Sequence, residues 1–135
     1  MTDDAAIFSR HYRILFEKPM TTAQAEELLR ECIMTIGRGV ACNNIILGHI
    51  KILAKLSKLA VEHFLFLSLT RLEQVDVIPS NCWRNVSGIV LDSLELEVNV
   101  LVFGHALGEV EAKVGEALRQ LGGSMEEDSA IGSCR

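Results

Sequence analysis

The chain has 135 residues, 49% of them hydrophobic and only 5% aromatic, with a formal net charge of −5. That length suits one domain that buries an aliphatic core without staples, and the composition excludes a disordered chain. The acidic balance argues against non-specific binding to nucleic acid or to an anionic membrane, and no apolar run reaches the ~20 residues of a membrane span.

The first segment, Asp4–Lys18, places Ile7, Phe8, His11, Ile14 and Leu15 at helical spacing, with Arg10, Arg13 and Glu17 on the opposite side. A helix is expected there, stopped by Pro19, although Tyr12–Phe16 would also suit a strand. The second helix has a clearer start. Thr21 and Gln24 stand in the spacing of a capping box, which satisfies backbone N–H groups that the first helical turn leaves orphaned. Ala25, Leu28, Leu29, Cys32, Ile33 and Ile36 then trace one apolar stripe, and Gly37 is placed to end the helix in a left-handed cap.

From Ile45 the pattern changes. Gly48–Lys55 and Phe64–Arg71 read as two strands of a hairpin. Lys51, Lys55, Lys58 and Glu62 also follow a helical period, but the Ile-rich run loses side-chain freedom in a helix and favours the strands. Val75–Ile78 reads as a short edge strand ended by Pro79, and Ser80–Gly88, with the only Trp, as a loop. The longest strand signal is Ile89–Phe103, where Leu94, Leu96, Val98, Val100 and Val102 alternate with Glu95, Glu97 and Asn99. A helix follows, with Leu107, Val110, Val114, Ala117, Leu118 and Leu121 as its core stripe. The expected fold is α+β in the order α-β-β-β-α: an antiparallel sheet of three to four strands from residues 45–103 with flanking helices. Residues 1–123 form one domain, and 124–135 a flexible acidic tail.

Two features carry functional expectations. The first is the reverse face of the sheet, where Leu53, Phe64, Phe66, Leu101 and Phe103 mix with Lys51, Lys55, Glu95 and Glu97. A solvated face is mostly polar and a buried one lacks charges, so the mixture points to an interface with an apolar centre and a charged rim. Self-association, as a dimer, is the expected use, unless the N-terminal segment covers this face within the monomer. Lys51 and Lys55 stand opposite Glu95 and Glu97 as cross-strand ion pairs would. The wider charge split, +4 over residues 37–71 and −8 over 72–128, would orient a complementary copy.

The second feature is the strand–Gly104–His105–helix junction, where a small ligand could sit near His105, Gly104 and Glu109, with His63 at the same sheet end. The segment lacks phosphate-loop spacing, so a strand–helix turn with an unusual angle at Gly104 is the simpler reading. Zinc needs about three or four converging ligands, and no third ligand stands at a diagnostic spacing from His105 and Glu109. Gly108, Ala112 and Gly115 form a line of small residues that permits close packing, within the monomer or between copies.

No nucleophile–base arrangement is legible, and no cofactor is implied. Cys32, Cys42, Cys82 and Cys134 show no paired spacing, and Met1-Thr2-Asp3-Asp4 opens without a basic region, so a cytoplasmic, reducing setting is expected. The sequence thus points to a non-enzymatic homo-oligomeric binding or regulatory module, with no nucleic-acid or membrane partner. The alternative is a small-molecule- or metal-binding protein, possibly an enzyme, with its site at Gly104-His105.

Overall fold

The alternation in the last long strand organises the molecule. In a computed structural model that describes residues 5–56, 63–86 and 89–127, Val90–Phe103 is β5, and Leu94, Leu96, Val98, Val100 and Val102 all lie buried on one of its faces. A strand half-buried in this way needs neighbours on both edges. On one side it pairs antiparallel with β2, Gly48–Lys55, and on the other with β1, Ala5–Thr21. β3 (Phe64–Arg71) and β4 (Gln74–Pro79) extend the sheet past β2, while β6 (Gly123–Glu127) adds to β1. The result is a six-stranded antiparallel sheet in the order β4-β3-β2-β5-β1-β6.

Two expectations change here. The first segment is a strand, not a helix, because its backbone pairs along β5 from Ala5↔Phe103 to Leu15↔Ser93. Phe8, Tyr12 and Ile14 turn inward with period two, whereas Ile7 and Leu15, assigned to the same helical stripe as Phe8 and Ile14, lie on the other face and are exposed. Pro19 does not end the element; it falls where the register slips between Leu15 and Met20, the kind of irregularity that tolerates a missing N–H. Residues 124–127, expected within a tail, pair with β1 instead. These two ends of the chain account for the difference between three or four strands and six.

Both long helices cover one face of this sheet. Helix α1, Thr22–Val40, begins in the expected capping box: Gln24 N–H donates to Thr21 Oγ1 (3.2 Å), and Thr21 N–H donates to Gln24 Oε1 (2.9 Å). Its stripe is buried as expected, with Leu28 only partly so. Gly37, however, does not cap it. The helix runs on to Val40, and Gly37 is a contact point, since a Cβ there would meet Leu69 Cδ2 at 2.4 Å. Helix α3, Leu107–Arg119, covers β1 and lies beside α1. It buries Val110, Val114, Ala117 and Leu118, while Leu107 at its start is exposed. Between β4 and β5, Ser80 caps a single helical turn, α2 (Asn81–Arg84), which buries Trp83.

The hairpin reading of residues 45–62 holds, with β2 and β3 in register from Ile50↔Leu69 to Lys55↔Phe64; its connection, including Lys58 and Glu62, lies outside the described residues. Gly48 lets β2 enter at close range: it has φ 149°, and a Cβ would meet the Leu101 carbonyl oxygen at 1.8 Å. No described helix is long and apolar enough to cross a membrane.

Candidate functional site

The sheet has one face under α1 and α3, and among the described residues no element lies over the other. The register fixes what that open face presents. One row across the strands reads Ile78, Phe66, Leu53, Glu97, His11; the next reads Asp76, Ser68, Lys51, Asn99, Ser9; a third brings His49, Leu101 and Ile7 together. Phe64 stands opposite Lys55, Glu95 stands between Lys55 and Arg13, and Phe103 stands opposite Ala5.

All nine expected interface residues therefore share this face, and β1 and β4 add Ile7, Ser9, His11, Arg13, Leu15 and Ile78. The β1 additions were hidden because β1 reads as a helix; their signal was the alternation Ala6, Phe8, Tyr12, Ile14. The face does not have an apolar centre and a charged rim. Its apolar groups form two clusters, Ile78/Phe66/Leu53/Phe64 and Leu101/Ile7, with Lys51, Asn99 and Ser9 running between them. Leu53, Phe64, Phe66 and Leu101 are half-buried by lateral neighbours, whereas Ile7, Ile78 and Phe103 are 67%, 58% and 43% exposed.

The expected cross-strand ion pairing is present in one place. Lys55 Nζ lies 2.9 Å from Glu97 Oε2, reaching diagonally past its direct neighbour Glu95, and the same oxygen stands 3.8 Å from His11 Nε2. Ser9 Oγ donates to Asn99 Oδ1 at 2.6 Å. Among the described residues no ion pair engages Lys51, Arg13 or Glu95.

A second constellation lies at the other candidate position. After Phe103 the chain turns at Gly104, with φ 89°, and His105 precedes α3. His105 Nδ1 lies 2.9 Å from Glu109 Oε1, one helical turn on, and His105 Nε2 lies 3.5 Å from Cys42 Sγ. The thiol is held by a two-residue turn: Cys42 N–H donates to the Ile45 carbonyl (2.8 Å), Ile45 N–H donates back (3.0 Å), and Asn43 and Asn44 both take the left-handed conformation. Gly104 clears the approach, since a Cβ there would stand 3.2 Å from Cys42 Sγ.

His63 is not part of this group. It precedes Phe64, which aligns through Lys55 with Glu95, whereas His105 follows the opposite end of β5, roughly 25 Å away at strand rise. Cys42 replaces it as the third member, a residue that spacing could not reveal because 63 positions separate it from His105. The three groups stand in a line, Cys42–His105–Glu109, and each ring nitrogen already faces a neighbour. Among the described residues no cluster of three His, Cys, Asp or Glu is arranged to hold a metal. The two glycines in the line of small residues on α3 are not close-packing points among the described residues: a Cβ on Gly108 would meet nothing within 4 Å, and one on Gly115 only Arg119 Nη1.

Comparison with protein-family models, with curated proteins and with solved structures finds no match to this chain.

Proposed function

We propose that the protein is a non-enzymatic, homo-oligomeric binding or regulatory module of the cytoplasm, and that its open sheet face is the contact between two copies. The observation that carries this reading is the asymmetry of the sheet: six strands, two helices on one face, and eight large apolar side chains on the face that no described element covers. Six strands at ~4.8 Å spacing, with about eight residues along each at ~3.3 Å, make a footprint of roughly 700 Å² per copy. That is close to the ~800 Å² per partner of a standard stable interface.

A second copy suits this face better than an unrelated partner because the face is complementary to itself. Lys51 and Arg13 offer positive charge, and Glu95 and Asp76 negative charge, on one surface. A two-fold axis would bring each sign on one copy toward the opposite sign on the other while pairing the apolar clusters. A cytoplasmic setting is supported by Cys32, Cys42 and Cys82, all of which are free thiols. Light scattering on the wild type and on Phe66→Glu tests the reading, which requires an oligomer that the carboxylate breaks.

A second reading places function at the Gly104-His105 junction. The Cys42–His105 contact is the specific observation in its favour.

A further inference from the structure

We propose that Cys42 is a nucleophilic thiol, with His105 as its base and Glu109 as the residue that positions that base, and that it reacts with disulfides to form mixed disulfides. The inference stands on the Cys42–His105–Glu109 line alone and holds whether or not the sheet face is an interface.

The tautomer follows from geometry. A carboxylate only accepts hydrogen bonds, so the 2.9 Å contact to Glu109 Oε1 puts the ring proton on Nδ1. Nε2 then presents its lone pair to the Cys42 thiol at 3.5 Å. A nucleophile beside a base that a third group orients is the general arrangement of activated serine and cysteine nucleophiles. The imidazole is shielded, with 11% of its side chain exposed, while Cys42 is only half-buried, so a reagent can reach the sulfur. The paired backbone bonds of the Cys42–Ile45 turn fix the thiol's position, and the missing side chain at Gly104 keeps its flank open.

A disulfide is the electrophile that this geometry suits. Acyl transfer requires donors poised for an oxyanion, whereas disulfide exchange asks only for access to a sulfur and a thiolate to attack it. In the step, the Cys42 S–H proton passes to His105 Nε2 and the thiolate attacks one sulfur of R–S–S–R. The S–S bond breaks with its electron pair on the departing sulfur, which takes the proton back from Nε2–H. Cys42 ends as Cys42–S–S–R, oxidised, and one equivalent of RSH is released, reduced.

The other described thiols act as internal controls. Cys32 is 2% exposed and reports loss of the fold, and Cys82 is half-buried like Cys42 but has no hydrogen bond to a histidine among the described residues. The native protein is incubated with oxidised glutathione, and the glutathionylated peptides are followed by mass spectrometry over time and pH. Cys42 is expected to react about tenfold or more faster than Cys82, and His105→Gln to remove that advantage. Glu109→Gln should reduce it in part, and the wild type's rate advantage over H105Q should be largest near neutral pH and shrink at alkaline pH, where a thiol ionises without a base. If H105Q unfolds, Cys32 becomes reactive, and the wild-type ranking with its pH profile then decides. Equal rates at Cys42 and Cys82 in the native protein, or a folded H105Q that reacts as fast as the wild type, would overturn the proposal.

Discussion

Gly37 of α1 rests so closely on Leu69 of β3 that a single added carbon would lie 2.4 Å from the leucine Cδ2. Leu69 is fully buried, so its side chain has nowhere to retreat. Gly37→Ala should therefore destabilise the protein by about 1–3 kcal/mol through overpacking, against the normal helical gain of Ala over Gly. Gly115→Ala, where a Cβ meets only the far end of Arg119, should instead stabilise by about 0.5–1 kcal/mol. Urea denaturation of the two variants checks the opposite signs.

Leu29→Ala and Val100→Ala each leave a cavity, one under α1 and one on the central strand, at positions that are each 1% exposed. Each should cost about 2–4 kcal/mol. Glu116 is exposed on α3, and Glu116→Ala should change stability by less than about 0.5 kcal/mol. Equal losses at all three sites in a denaturant series would contradict the placement of the core.

Burial pushes the Cys32 thiol up to about 12 from an ordinary 9.0. The folded state thus keeps the proton after the unfolded chain has lost it, and the stabilisation, complete below pH 9, falls as pH rises from about 9 towards 12. Lys and Tyr titrate in the same range, so the comparison that isolates this thiol is with Cys32→Ala. The difference in stability between wild type and variant should shrink steadily above pH 9. A difference constant to pH 11 would contradict the assignment, in an experiment extending about two units above the ordinary thiol value.

Much of the fold was legible where local signals agree with the final contacts. The Thr21/Gln24 box, the α1 stripe and the alternation of β5 each combine a local pattern with burial, and all three are as the sequence implies. β1 was not legible because Ile7-Phe8 and Ile14-Leu15 satisfy both a helical and an alternating period, and only pairing with β5, some ninety positions away, decides between them. Gly37 shows the same limit: a glycine near a helix end suggests a cap, and the leucine that demands its lack of a side chain lies on another element. For the candidate sites, the interface residues share one face because strand parity is a local property. Cys42 follows α1 and His105 precedes α3, and the two meet only in the folded chain, which no spacing rule encodes.

Nucleic acid should not bind at physiological salt. On the open face Lys55 is already paired with Glu97, and Lys51 stands in one row with the acidic Asp76. Too few cations remain to release phosphate counterions in competition with salt. A retardation assay with duplex and single-stranded probes should show no shift; binding lost in a Lys51→Ala variant would contradict this.

The central claim, that two copies meet through the open sheet face, is tested most directly by the mass in solution of the wild type and of Phe66→Glu. Phe66 stands between Ile78 and Leu53 in the larger apolar cluster, and its side chain points away from the core, so the substitution spares the fold. At a face-to-face contact it would bury a carboxylate without a partner, at a cost of several kcal/mol by order of magnitude. The wild type should have twice the 14.9 kDa chain mass, and a folded Phe66→Glu variant the chain mass itself. A monomeric wild type, or a folded variant whose mass is unchanged from an oligomeric wild type, would contradict it.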